Sequence, residues 1–429
     1  MIPSIRMRLL ELWDLDLYRF PPDTQHRLRR MVKVTMLPLA LLFVCAMLFT
    51  PFLPMFPHPD ASGRVATGFV LFSTTVAGSA PQVSYGSDSA VYWLILVVNT
   101  YLLGVGGEVL LSLLDIWVYQ RTTRQEYPWE DVIVYKLGSA LVIASGALVL
   151  YPNLGEALVA LLRNLFASLS SVGRTWGLGL RLPFVLLVTF ALLLDDLFFY
   201  VGHRLSHRVR LMWKLGHVNH HRAQRLNRLT ASPDFQLFFL NGSRGSFVTQ
   251  VIGRAFFFSV LGHVTPEQAV GGATLTTVIR FLSASTAHSL SCYVLFARHR
   301  WLALLEHVLV IGRVHYVHHS SLPQHDVAHG CNFAATFSFW DKLFGTFVPA
   351  PVEVPPTGLF HERETVGNPW KFAFVEWVTM FLELKRNPPR HWGMILFGPA
   401  EYEPPVAGTL HRDLPKAQRP TIDSCTPTC

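Results

Sequence analysis

The stretch Leu182-Pro-Phe-Val-Leu-Leu-Val-Thr-Phe-Ala-Leu-Leu-Leu-Asp195-Asp196-Leu-Phe-Phe-Tyr200-Val-Gly-His203-Arg204-Leu-Ser-His207 joins two chemistries in one helix-length segment. Its first part, to about Tyr200, is apolar enough to enter a bilayer as a helix. Its second part places Asp196, Tyr200, His203 and His207 at i, i+4, i+7 and i+11, a single stripe along that helix. A greasy helix therefore ends by presenting a row of polar groups where it leaves the apolar phase. A carboxylate one or two turns before a histidine can hold an imidazole N–H and fix its tautomer, the role expected of Asp196. For Asp195, a solvated charge at the end of the span is an equal alternative.

Two more histidine clusters follow. His217-Val-Asn-His220-His221 and His315-Tyr-Val-His318-His319 each place three imidazoles at i, i+3 and i+4, on one helix face. In a chain with 19 histidines, one such triad by chance is plausible; two triads plus His203-x-x-x-His207 point to metal binding. Imidazole suits Zn, Cu, Fe and Ni. Eight clustered imidazoles exceed what one ion holds, so the spacing predicts a two-metal site. The zinc-protease pattern H-E-x-x-H is absent from the sequence.

Composition sets the surroundings. Of 429 residues, 51% are hydrophobic and 15% charged, which suits a multi-pass membrane protein better than a soluble enzyme. The net charge of +8 has its basic residues beside apolar runs, as cytoplasmic loops do. No nucleic-acid-binding module accompanies that charge, so a nucleic-acid partner is not expected. The five cysteines are scattered and suggest neither a disulfide framework nor a zinc finger. The first 35 residues are too charged for a signal peptide and read as a cytoplasmic segment.

Apolar runs at about 36–56, 91–117, 132–150 and 182–200 are expected to span, with 158–169 either interfacial or a partial span. Two imperfect stretches, 235–261 and 271–287, carry Arg244, Arg254 and Arg280 and are expected to form a hairpin. With the N-terminus inside, four spans and a hairpin return all three clusters to the cytoplasmic face. The expected fold class is all-α: a multi-pass transmembrane helical bundle with a cytosolic histidine-rich cap. Its expected parts are a cytoplasmic segment (1–35), an N-terminal transmembrane region (36–180), a catalytic domain (181–350) and an amphipathic segment with a polar tail (351–429).

The ordered clusters carry a resemblance. Asp196-Leu-Phe-Phe-Tyr200-Val-Gly-His203-Arg204-Leu-Ser-His207 resembles the first histidine box of the fatty acid hydroxylase/sterol desaturase superfamily. Trp213 with His217-x-x-His220-His221 resembles the second box. His315-x-x-His318-His319-Ser320, then Asn332 and Trp340-Asp341-Lys-Leu-Phe344-Gly345-Thr346-Phe347, resembles the third box and its trailing signature. The match covers about Leu182–Phe347. Family members carry one more ligand histidine between the second and third boxes, for which His288 is the candidate. Leu290 stands where a polar residue is expected, and Asn332-Phe333-Ala334 replaces the usual Asn-Tyr-Gly.

The resemblance implies an integral-membrane di-iron oxidoreductase that uses O2 and electrons to hydroxylate or desaturate an unactivated C–H bond of a fatty acyl, sterol or isoprenoid lipid. It implies His203, His207, His217, His220, His221, His288, His315, His318 and His319 as ligands, with Asp196, Tyr200, Asn332 and Asp341 around them. Electrons would come ultimately from NAD(P)H through a separate protein such as cytochrome b5 or a ferredoxin. Arg204, Lys214 and the basic run 222–228 are expected either to dock that acidic donor or to meet lipid phosphates. The site would face the cytoplasm, from a bacterial inner membrane or the endoplasmic reticulum. Other classes compatible with the residues are a metal-dependent membrane lipid hydrolase and a non-catalytic membrane metal-binding protein. His325 and His329 are expected in a loop, and His307 in the core or behind the ligands.

Overall fold

The computed structural model describes residues 15–49, 111–138, 175–231, 256–263, 286–327, 329–359 and 367–408, with positions 58–59, 65–66, 164, 168, 171–172, 254, 272, 275–276, 279–280 and 283–284 between them. The expected runs at 36–56, 91–117, 132–150, 158–169, 235–261 and 271–287 lie wholly or partly outside the described residues, as does the far C-terminal tail. Among the described residues the chain is mostly helical. A two-residue antiparallel ladder, His58–Pro59 with Val65–Ala66, is the one sheet among them.

Helix α1 (Pro22–Phe49) begins in the basic segment rather than after it. Proline at its first position costs no hydrogen bond, because that N–H has no helical partner. Its cations are anchored: Arg29 reaches Glu130 at 2.7 Å and Lys33 reaches Glu126 at 2.6 Å.

Helix α2 (Phe184–Arg208) is the one described helix long and apolar enough to cross a membrane. At 1.5 Å per residue it is about 37 Å long, more than a bilayer core of about 30 Å. Leu187, Val188, Ala191, Asp196, Phe199, Tyr200, His203 and His207 face inward on one stripe. Val185, Leu186, Phe190, Phe198, Val201 and Leu205 are exposed on the other. The upper part packs against Phe258 and Leu261. Asp195 is not a solvated charge: it pairs with Arg254 at 3.1 Å and with Arg280 at 2.8 Å. Two of the arginines that interrupt the apolar stretches are thereby paired inside the protein, Arg280 with Asp196 as well at 3.3 Å.

Below α2 the chain turns through Trp213–His217, a π-helical turn, into the short helix α3 (Val218–His221). Such wide turns are frequent at functional sites. The remaining elements that matter are α4 (Leu290–Arg298), α5 (Val314–His318), α6 (Phe339–Leu343), α7 (Pro369–Arg386) and α8 (Trp392–Phe397). One core cluster ties them together: Tyr135, Ala223, Leu226, Tyr293, Tyr316 and Phe372 come from five separate segments. A second, Tyr200, Val310, Val314, Phe333 and Ala334, lies between α2 and α5.

Candidate metal centre

Helices α2, α3 and α5, with His217 at the end of the π-helical turn, His319 just past α5 and His288 two residues before α4, bring nine buried histidines together. They form two groups. His203, His207, His217, His221 and His318 make one; His220, His288, His315 and His319 make the other, with the potential ligand atoms in each group within 4.8 Å of one another. The i, i+3, i+4 spacing explains the split: across the π-helical turn and α3, His217 and His221 turn to the first group and His220 to the second, while α5 and its C-cap send His318 to the first and His315 and His319 to the second. The groups adjoin, with the rings of His221 and His319 stacked at 4.4 Å.

The hydrogen bonds tell which nitrogen faces inward. His203 donates Nδ1–H to the Phe333 carbonyl at 2.7 Å, His318 to the Cys331 carbonyl at 2.5 Å and His288 to the Ala284 carbonyl at 2.6 Å. A carbonyl only accepts, so each of these rings carries its proton on Nδ1 and presents a bare lone pair at Nε2. Those Nε2 atoms point at other imidazoles, with His207–His318 at 3.3 Å and His288–His220 at 3.3 Å. Converging lone pairs repel unless a cation lies among them, and two such foci fit two metal ions. Burial, reinforced by neighbouring imidazoles, holds His221 and His319 well below the usual histidine pKa, so both are neutral and able to ligate near pH 7.

Asp196 and Asp341 do not touch an imidazole. Asp196 accepts from the backbone N–H groups of Ala335, Thr336 and Phe337 at 3.0, 2.9 and 2.7 Å, and from Arg280 at 3.3 Å. Asp341 accepts from the N–H groups of Phe333 and Ala334 at 2.7 and 3.0 Å, and from the Thr346 hydroxyl at 2.8 Å. Burial pushes the Asp341 carboxyl up to about 7, against hydrogen bonds from Thr346, Ala334 and Phe333 that favour the ionised form. The sequence suggested that Asp196 would hold a histidine directly. Instead the carboxylates hold segment 333–337, and the carbonyls of Cys331 and Phe333 orient the histidines.

The turn before that segment is built on left-handed backbone at His329, Gly330 (φ 120°) and Asn332 (φ 49°). The Asn332 side chain offsets its strain by donating to the Val314 and Val348 carbonyls and accepting from the Val348 N–H, each at 2.9 Å. Tyr200 bonds Thr346 at 3.0 Å and accepts from Arg204 at 3.1 Å, linking α2 to the end of α6.

Other expectations resolve differently. His307 is exposed, while its neighbour Glu306 is buried on Arg313 at 2.9 Å. His325 is buried in its loop, and His329 is exposed and pairs with Glu401 at 2.7 Å. The basic run is turned inward: Lys214 and Arg222 both bind Glu376, Arg225 binds Asp131 at 2.9 Å, and Arg228 is buried. Glu376, Asp131 and Asp115 were not expected at the site. Asp115 accepts from the Ser289 hydroxyl at 2.7 Å, directly after His288. For Glu376 a signal was present: on α7 it shares the buried stripe Phe372, Ala373, Met380 and Glu383, and acids on an apolar face require cations opposite.

Segment 188–346, which contains all nine histidines, matches the model of the fatty acid hydroxylase family. This segment is a fatty acid hydroxylase domain. Across 171 residues the chain is 27% identical to alkylglycerol monooxygenase of Xenopus tropicalis, covering 40% of this chain and 32% of that one. The chain thus matches about a third of that relative's length. No solved structure matches. The fatty acid hydroxylase domain leaves α1, residues 111–138, α7 and α8 outside its bounds.

Proposed function

We propose that this protein is an O2-dependent, membrane-integral di-iron oxidoreductase that hydroxylates a C–H bond of a lipid. The observation that carries the reading is the pair of buried, all-histidine groups at the end of an apolar helix. An alkyl C–H bond has no dipole for acid–base chemistry to exploit, and a reduced iron pair with O2 supplies the oxidising power that such a bond demands.

The chain's own residues do the rest. His203, His207, His217, His221 and His318 would hold one iron, and His220, His288, His315 and His319 the other. Phe333 and Cys331 fix two of those rings through their carbonyls. Burial of all nine keeps water from the groups. The exposed apolar face of α2 supports a lipid-embedded helix that guides an acyl, sterol or isoprenoid chain toward the groups. The other apolar runs of the sequence would complete a multi-pass bundle around a catalytic domain at 181–350, with the site on the cytoplasmic side. Electrons would come from a separate donor of the cytochrome b5 or ferredoxin kind. The alkylglycerol monooxygenase relative supports oxygen insertion over desaturation, and a glycerol-linked lipid as the first substrate to try.

A hydrolase would need a carboxylate base at the metals. Among the described residues neither histidine group includes one, and the oxygens of Asp196 and Asp341 are taken by backbone N–H groups. The test is lipid mass spectrometry of cells expressing the wild type or His318→Ala under 18O2. A lipid that gains one 18O only with the wild type is expected. A hydrolysed lipid that forms equally without oxygen would overturn the reading.

A further inference from the structure

Helix α7 lies outside the fatty acid hydroxylase domain, yet it meets the second histidine box at both ends. The Glu376 carboxylate receives the Lys214 ammonium at 2.9 Å on one oxygen and the Arg222 guanidinium on the other. Lys214 precedes His217 by three residues, and Arg222 follows His221 directly. One carboxylate thus bridges the two ends of the turn that carries His217, His220 and His221. A second contact lies between them: Asn219 donates to the Phe372 carbonyl of α7 at 2.8 Å and accepts from Arg222. Glu376 and Arg222 are both buried, at 7% and 6% exposure, so the pair is shielded from salt and water.

The helix is itself secured. Arg210, three residues after His207, makes two bonds to Glu383 at 2.7 and 2.9 Å, and also donates to the Ile395 and Tyr402 carbonyls. Asn368 caps the N-terminus of α7 by accepting from Trp370 and Lys371. A capped helix anchored at Glu383 is a fixed strut, and Glu376 is where the strut grips the box.

We infer that Glu376 is a positioning residue for the metal centre, holding the His217–His221 turn so that it serves both histidine groups at once. This rests on the di-iron reading above. The turn contains a π-helical segment and a four-residue helix, neither of which holds its own shape well in isolation. Without the bridge, the three histidines would keep their sequence spacing and lose their common orientation. Groups that orient ligands from behind typically change metal affinity by about 10–100-fold when removed.

The experiment uses the full-length protein in detergent, loaded with Fe(II), and measures iron release to a ferrous chelator together with the thermal midpoint. Glu376→Gln is compared with Glu130→Gln, which breaks the ion pair of another buried carboxylate, with the partly exposed Arg29, away from the boxes. Release about tenfold or more faster in Glu376→Gln, and unchanged in Glu130→Gln, is expected. Equal release from Glu376→Gln and wild type would overturn the inference, as would equal acceleration in both variants. Should Glu376→Gln fail to fold, Lys214→Gln removes only the partly exposed arm and is expected to speed release several-fold; no change would overturn it. A wild-type protein that takes up no Fe(II) would overturn the di-iron reading and this inference with it, a result distinct from a wild type that holds iron as weakly guarded as the variant's.

Discussion

Asp341→Asn tests whether the carboxylates govern the histidines through the backbone. In the native site one Asp341 oxygen accepts from the Phe333 N–H and the Thr346 hydroxyl, and the other from the Ala334 N–H. An asparagine has one acceptor oxygen in place of two. In one orientation its amide faces the Ala334 N–H, donor against donor. Flipped, it faces the Phe333 N–H, and only Thr346 can adapt by accepting. At a pH above about 7, where the Asp341 carboxyl is ionised, one buried N–H loses its acceptor either way, at about 1–3 kcal/mol, and the remaining bonds weaken by about 1 kcal/mol on losing charge. The expected loss of stability is therefore about 2–4 kcal/mol. The effect should not stop at stability, because Phe333 also orients His203 through its carbonyl. Denaturant unfolding in detergent and iron content measured on the same preparations check both parts. A variant within about 0.5 kcal/mol of wild type and fully loaded with iron would refute the argument, since surface-like substitutions fall in that range.

Three further outcomes are expected. Arg210→Met or Glu383→Leu alone should cost about 3–5 kcal/mol by leaving a buried charge unpaired, while the double variant costs less than the sum, measured by a double-mutant cycle in urea. Burial would raise the Glu376 carboxyl, but Arg222 and Lys214 outweigh it and hold the group at about 2, below its usual 4.5. A lowered folded value means that the stabilisation, on the order of 3 kcal/mol, is complete above the unfolded value and is lost as pH falls from about 4.5 toward 2. The stability gap between wild type and Glu376→Gln should then be flat near neutrality and close below about pH 4.5; a gap unchanged down to pH 3 would contradict it. Gly330→Ala should cost about 1–3 kcal/mol and lower iron content, because the backbone is left-handed there and a Cβ would lie 3.0 Å from the His207 ring nitrogen.

The three clusters and the apolar helix leading into the first were legible because their periodicity is local: four or seven residues of spacing decide a helix face. The division of His217 and His221 from His220 also follows from that spacing, once the partner helices are known. The positions of Asp196 and Asp341 were legible, but not their partners, since a backbone N–H carries no mark in the sequence. The fate of the basic run was misjudged for a related reason. Lys214, Arg222 and Arg225 look like an open cationic surface until Glu376 and Asp131, 162 and 94 residues away from Lys214 and Arg225, arrive to pair with them. Charge composition gives the total; only the long-range fold says which charges face outward. His307 shows the converse, an apolar neighbourhood in sequence that proves to be an exposed edge, with Trp301, Leu304 and Val308 exposed beside it.

The central claim is that two histidine groups hold two irons. The most direct measurement is the metal content of purified wild-type protein, read by elemental analysis and 57Fe Mössbauer spectroscopy, beside His318→Ala and His315→Ala, one from each group. About two irons per chain in a coupled pair, with the pair lost in either variant, is the predicted result. A single iron whose Mössbauer spectrum neither substitution alters, or zinc by elemental analysis with no 57Fe signal, would contradict it.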